Sequence, residues 1–387
     1  MTARIARPLL QLPGPGNVPP VVLAAVARPT IDHRGQAFAA IVRGVLSDVR
    51  QVFGTSEPVA LYPASGSGGW EAALVNTLCP GDRVLICETG AFAAGWAAMA
   101  SRLGLEVEVI PTNWRGPADP DAIAAALTVP GGGDIRAVLV VHNETSTGVR
   151  SDVAAIRRVM DEAEHPALLM VDAVSSLASM PVRHDAWRVD VTVAGSQKGL
   201  MLPPGLVLLA VSKRAREAKA NSTLPCAYWD WDPMLAAADT GFYPYTPATN
   251  LIIGLRAALD LMLGEGLDEV YARHRRHASA VRAAVEHWGL TLLCLDPLAR
   301  SESVTAVLLP EGVSDKAVRA AVLDHFGVTL GGGLGRLEDR CLRIGHLGDL
   351  DDLMVISTLA ALEMTLPGCG VAVAPGGVQV AMRLIEA

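Results

Sequence analysis

Short apolar runs alternate with helix-period segments through the first two-thirds of this 387-residue chain, and no other feature constrains its fold as tightly. "PVALYPAS" (58–65) precedes "WEAALVNTL" (70–78), and "DRVLICE" (82–88) precedes "GWAAMASRLG". "EVEVIP" precedes "DPDAIAAALTV", "RAVLVVHNE" precedes "SDVAAIRRVMDEA", and "ALLMVDAV", "VDVTVAGSQ" and "GLVLLAVS" follow. Strand-length runs separated by helical patterns predict an α/β fold: a largely parallel sheet with helices on both faces. The last two runs are expected to be neighbouring strands joined by the turn after Lys198.

From about residue 250 the texture changes. Two long helical patterns with a break near Gly264–Gly266 lead into "LTLLCL", "VTAVLLP", the helix-like "DKAVRAAVLDHF", "CLRIGH" and a last helix from about Asp351. The expected division is a large domain over 1–265, with an N-terminal arm, and a smaller α+β domain over 266–387. The closing Gly-rich tail carries little pattern.

Composition narrows the function. Hydrophobic residues make up 51% and charged residues 19%, ample for a large core. A net charge of −8 opposes a nucleic-acid or anionic-membrane partner, which would need a basic face. The six cysteines (79, 87, 226, 294, 341, 369) show no CxxC spacing, so no zinc site or disulfide framework is expected and a cytoplasmic setting is the simplest. The N-terminus lacks the apolar h-region of a secretory signal, and no apolar run reaches the ~20 residues of a membrane span.

Three local features could carry chemistry. In "ASGSGGWEAAL" (64–74), small residues follow a strand and open a helix, where backbone N–H groups and the Ser65 and Ser67 hydroxyls suit an anion such as phosphate. The stretch lacks the lysine of a P-loop and the GxGxxG spacing, and such a stretch alone is more often a plain turn. The later "GGGLG" (331–335) reads as a flexible turn. Asp172 ends the apolar run "LLMVD", where ligands of α/β sheets bind. A carboxylate there needs a cationic partner or caps the following turn. Lys198 stands between two apolar runs. Desolvation would make its amine a nucleophile toward aldehydes, unless it snorkels to solvent at the sheet edge. A phosphate cradle, a carboxylate, and a lysine 26 residues beyond it together suit pyridoxal 5′-phosphate, which has a phosphate, a ring nitrogen and an aldehyde.

"VDAVSSLASMPVRHDAWRVDVTVAGSQKGLMLPPGL" resembles the class V aminotransferases of the fold-type I pyridoxal-phosphate enzymes. "LQLPGPGNVPP", "PTIDHR", "SGSGGWEAALVNTLCPGD", "HNETSTGV", "YPYTPATN" and "LRIGHLGDL" extend the resemblance over nearly the whole chain. It implies that Lys198 carries the cofactor covalently and that Asp172 pairs with its ring nitrogen. It implies that Ser67, Gly68 and Gly69 hold the phosphate, helped by Ser196 and Gln197. Phe92 falls where relatives stack a Trp on the ring, with Trp96 as the competing candidate. Thr145 falls near the cofactor's phenolic oxygen. Tyr243 and Thr246 look like a pair that reaches the phosphate of a neighbouring subunit, implying a homodimer or larger homo-oligomer with shared sites. Arg343 corresponds to the arginine that binds the substrate α-carboxylate; His33 and Arg34 either line the entrance or are structural.

The activity so implied is ping-pong transfer of an amino group from a small L-amino acid to glyoxylate, giving glycine and a 2-oxo acid. Serine is the expected donor, with aspartate and alanine as alternatives. A desulfurase-type lyase would need a mobile-loop cysteine, and a non-catalytic homologue would not need the Lys198, Asp172 and Arg343 set.

Overall fold

The protein is described by a computed structural model covering residues 9–386. The strands are, in order, β1 (Leu9–Gln11), β2 (Val59–Ala64), β3 (Arg83–Glu88), β4 (Glu106–Pro111), β5 (Ile135–Val141), β6 (Asn143–Glu144) and β7 (Val149–Arg150). They continue with β8 (Leu168–Asp172), β9 (Val191–Gly195), β10 (Gly205–Val211), β11 (Thr291–Leu292), β12 (Val304–Leu308), β13 (Val328–Gly332) and β14 (Cys341–Gly345).

Seven strands form the large sheet in the order β2-β10-β9-β8-β5-β3-β4. All pairings are parallel except those of β10, which runs antiparallel to both β9 and β2. The expected pair of neighbouring strands around Lys198 is therefore β9 and β10. Side chains alternate faces along each strand. Val138 and Val140 of β5 pack with helices Pro120–Thr128 and Val153–Glu162, while Ala137, Leu139 and Val141 pack on the other side with helices Gly66–Val75 and Ala91–Arg102. Every residue of β8 and β9 is buried, as befits central strands covered on both faces. A third group of side chains joins helices Gln36–Phe53 and Thr249–Glu265 to the β2–β10 end of the sheet.

The second sheet runs β1-β13-β14-β12-β11. It packs against helices Leu267–His287, Asp315–Phe326, Asp352–Thr365 and Gly377–Ile385 around Val285, Val322, Leu342 and Leu359. The long helices break at Gly266, whose φ of 91° leaves the right-handed region. Helix Asp352–Thr365 is apolar enough for a membrane span together with the turn after it, yet its Val355, Leu359 and Leu362 are buried in this core. The tail is ordered by Glu363, whose carboxylate accepts from the N–H groups of Gly376 and Val378 at the start of the last helix.

Two arrangements differ from the sequence reading. Strand β1 belongs to the small sheet, parallel to β13 through Leu9↔Val328 and Gln11↔Leu330. From Leu9 the described chain thus runs from the small sheet to the large one and back. Gly331 and Gly332 are not a turn but the end of β13, paired with Arg343 and Leu342.

Candidate active site

The C-terminal ends of β5, β8 and β9 open onto one cavity of about 130 Å³, lined by Ser67, Phe92, Thr145, Asp172, Gln197 and Lys198 among others. Lys198 follows β9 through a turn that needs the β9–β10 reversal. Ser196 makes that reversal: its backbone N–H donates to Leu206, its Oγ donates to the Pro203 carbonyl at 2.8 Å, and the Leu206 N–H donates to Oγ at 3.1 Å.

Lys198 is buried, with 8% exposure, and its Nζ donates to the Pro13 carbonyl at 2.5 Å. Burial, reinforced by the Arg343 charge, pulls its amine down to about 8. The amine is therefore deprotonated far more readily than an exposed lysine, though still mostly protonated at pH 7. Asp172 is pushed up to about 7 by burial, opposed by its hydrogen bonds. Its Oδ1 accepts the Val174 N–H at 2.7 Å and its Oδ2 accepts Nε1–H of Trp70 at 2.9 Å. These bonds fix the plane of the carboxylate, and its ionisation would be completed by a cation in the cavity.

The helix Gly66–Val75 begins at the cavity wall. Its Ser65 carbonyl accepts the N–H groups of Gly68 and Gly69, which leaves those of Gly66 and Ser67 as the unspent first-turn donors. Ser65, Gly66 and Ser67 line the cavity, whereas Gly68 and Gly69, expected with Ser67 to hold a phosphate, spend their N–H groups on the Ser65 carbonyl. Gly69 instead allows the helix to lie on the sheet: a Cβ there would come within 2.5 Å of Val193 and 2.6 Å of Val207. A Cβ on Gly68 would meet the Trp229 ring at 2.7 Å.

Ser196 also departs from the expectation. Its hydroxyl is consumed within the β9–β10 turn and does not face the cavity. Gln197 does line it, and its Oε1 is buried with no partner. Asn143 Oδ1 is likewise buried and unpartnered at the cavity wall, while its Nδ2 donates to Ser175 and Ser303. Buried polar atoms left unpaired are costly, so these two mark places where a ligand supplies hydrogen bonds. A flat ring carrying phosphate, ring nitrogen and aldehyde fits this set of groups: donors at a helix start, a carboxylate, an amine and two orphaned amide oxygens.

Phe92 lines the cavity, in edge contact with Trp70 at 6.5 Å between centroids. Trp96 is fully buried and stacked on Trp70 at 5.7 Å, which makes it a core residue behind the site. Phe92 is held by Glu144, a fully buried carboxylate that accepts from the N–H groups of Phe92, Ala93 and Ser146 and from the Ser146 hydroxyl. Burial raises the affinity of Glu144 for its proton. The start of helix Ala91–Arg102 favours the negative charge.

Thr145 lines the cavity and donates to Ser175 Oγ at 2.7 Å. Its carbonyl accepts Nη1 of Arg343 at 3.1 Å, and the Gly332 carbonyl accepts Nε at 2.7 Å. Among the described residues no protein group is bonded to Nη2. Gly331 stands opposite Arg343 in the β13–β14 pair and so leaves it space.

Tyr243 and Thr246 are not brought to this cavity. Tyr243 packs against both main cores of its own chain, and its hydroxyl is buried without a partner among the described residues. Thr246 is exposed. His33 is half-buried and Arg34 exposed, and neither lines the cavity. Sequence reasoning missed Trp70, Asn143 and the segment around Pro13. Asn143 had a signal, a polar residue two positions after the apolar run "AVLVV"; a tryptophan among helix-start glycines is a weaker one.

Residues 22–336 match the family Aminotransferase class-V. The chain is 45% identical over 366 residues to L-aspartate–glyoxylate aminotransferase of Paracoccus denitrificans (strain Pd 1222), covering 94% of this chain and 92% of the relative. It is 43% identical over 381 residues to serine–glyoxylate aminotransferase of Methylorubrum extorquens, covering 97% and 95%. Among solved structures it is similar to pyridoxamine-pyruvate aminotransferase from Mesorhizobium loti, with a TM-score of 0.92, 31% identity, and 99% and 98% of the two chains covered. Fold, site and relatives agree: this chain belongs to the class-V aminotransferases.

Proposed function

We propose that the chain moves the amino group of a small L-amino acid, serine in the first place, to glyoxylate, using pyridoxal 5′-phosphate. The observation that carries this reading is the buried Lys198 amine, set in one cavity with the Asp172 carboxylate and close enough to Arg343 to feel its charge. The bound cofactor supplies an aldehyde for the lysine and a ring that accepts negative charge from the substrate's α-carbon.

The rest is done by side chains. Ser65, Gly66 and Ser67 hold the phosphate with the donors of the helix start. Asp172, oriented by Trp70 and Val174, keeps the ring nitrogen protonated. The Phe92 face covers the ring. Arg343, anchored through Nε and Nη1, offers Nη2 to the carboxylate that donor and acceptor both carry next to the reacting carbon. Lys198 Nζ takes the proton from the donor's α-carbon and returns it one carbon further on. L-Serine and glyoxylate would leave as hydroxypyruvate and glycine.

The near-equal identities to an aspartate-using and a serine-using relative do not separate the donors. Serine is placed first because the chain matches several serine–glyoxylate relatives, at 39–44% identity, beside one aspartate–glyoxylate relative. A desulfurase role is disfavoured: Cys341 is fully buried in β14 and burial pushes its thiol up to about 12. The reading includes a homodimer, supported by the half-exposed rings of Tyr228 and Tyr245 stacked beside exposed Thr246. It also includes a cytoplasmic setting, which rests on the sequence.

A donor panel with glyoxylate as acceptor tests this function. The expected order of kcat/KM places serine first. Absence of glycine formation from every donor would overturn it.

A further inference from the structure

The "LPGPGN" segment contacts the reacting amine itself. Its carbonyl at Pro13 accepts from Lys198 Nζ at 2.5 Å, the one hydrogen bond the amine makes among the described residues. Gly14 adopts a φ of +108°, and a Cβ on it would collide with Nζ, Cε and Cδ of Lys198. Both the backbone conformation and the lysine's path thus require glycine there. Gly16 N–H donates to the Gln197 carbonyl at 3.0 Å, so the segment is bonded to two consecutive residues of the cofactor loop.

The other end of the segment is fastened to the small sheet. Gln11 Nε2 donates to the Gly345 carbonyl at 2.5 Å, and Gln11 Oε1 accepts from Thr358 at 2.9 Å. Gly345 lies two residues beyond Arg343 on the same strand, and a Cβ on Gly331, opposite Arg343, would touch Pro13 at 2.9 Å. One short stretch of backbone therefore joins the strand of the carboxylate-binding arginine to the amine.

We propose that residues 13–16 form a strap whose Pro13 carbonyl is the holding partner of the Lys198 amine whenever that amine is not covalently engaged. The proposal rests on the reading of Lys198 as the reacting amine. In such a reaction the lysine is free during half of each cycle. A buried amine with no acceptor would pay the full cost of an unpaired polar group. A single backbone carbonyl supplies that acceptor without adding a charge, and it cannot be lost by side-chain movement. The bond favours the protonated amine and holds Nζ at the cavity wall; its release makes the amine available as base and nucleophile.

The test uses the enzyme loaded with pyridoxamine 5′-phosphate, in which Lys198 is free. Trace acetylation by acetic anhydride, followed across pH by peptide mass spectrometry, reads the reactivity and titration midpoint of Lys198. Gly14→Ala should raise the rate of Lys198 labelling about tenfold, the scale of one lost hydrogen bond to a charged group, and move the midpoint to lower pH. Pro13→Ala keeps the carbonyl and should label like the wild type. Gln11→Ala loosens the strap far from the amine and should change labelling in the same direction as Gly14→Ala, and it carries the test if Gly14→Ala fails to fold. Rates and midpoints unchanged in both Gly14→Ala and Gln11→Ala would overturn the strap. Labelling is read without turnover, so loss of the proposed transamination and loss of the strap give separate signatures.

Discussion

The indole Nε1–H of Trp70 donates to Oδ2 of Asp172 at 2.9 Å, tying the helix that starts at the cavity wall to the carboxylate at the end of β8. Two parts of a cofactor some distance apart are thus addressed by one rigid unit. Trp70→Phe keeps the packing against Trp96 and removes only the donor. It should weaken cofactor affinity by about tenfold, the scale of a hydrogen bond to a charged group, as measured by titration of the cofactor-free protein.

Asp172 also sets a pH dependence. Its carboxyl is raised from 3.8 to about 7 by burial, so between these values the folded protein without cofactor binds a proton that the unfolded chain has released. Stability contributed by this group is present below about 4 and is lost as pH rises towards 7. Asp172→Asn removes that loss. An asparagine amide turns N–H towards one of the two donors that Asp172 accepts, so the variant without cofactor should be less stable than wild type near pH 4, and that deficit should shrink by about 1–3 kcal/mol as pH rises to 8. The same variant should bind the cofactor poorly. Thermal melts at the two pH values check the sign.

Glu144→Gln tests how Phe92 is held. The carboxylate meets only donors: three backbone N–H groups and one hydroxyl. A glutamine amide turns N–H groups towards them, at a cost of about 1–3 kcal/mol in a denaturant midpoint. Glu144→Asp, too short to reach all four, should be intermediate or worse.

The two serines of the cofactor loops should separate cleanly. Ser67→Ala should reduce affinity for pyridoxal 5′-phosphate several-fold while leaving affinity for pyridoxal unchanged, because only the phosphate is contacted there. Ser196→Ala should lower stability by about 1 kcal/mol through the β9–β10 turn and leave the ratio of the two affinities untouched. Competition binding with both compounds measures this.

Arg343→Ala should raise KM for donor and acceptor alike and lower kcat/KM about a hundredfold, in the range of a buried charged hydrogen-bonded pair losing one partner. An unchanged KM for both substrates would take Arg343 out of the carboxylate role.

The large sheet was legible because its strands are short apolar runs bounded by helical periodicity, and Lys198 stood out as the charge between two such runs. Asp172 was legible from the strand end it occupies. The β1–β13 pairing was not, because Leu9–Gln11 is three residues long and its partner lies more than three hundred residues away. The roles of Gly68 and Gly69 were also hidden: a glycine that admits phosphate and one that admits Val193 look alike in sequence. Ser196 was misread for a similar reason, since a serine after a strand can face a ligand or close its own turn. Gly14 beside Lys198 could not be read at all, because only the fold brings residues 184 positions apart into contact.

Lys198 is proposed as the amine that bonds the cofactor and drives the transfer. Borohydride reduction of the pyridoxal 5′-phosphate-loaded enzyme, followed by peptide mass mapping, tests it most directly. One pyridoxyl group per chain is expected, on Lys198, with Lys198→Ala unlabelled and unable to form glycine from L-serine and glyoxylate. A label on another lysine, or full turnover by Lys198→Ala, would contradict it.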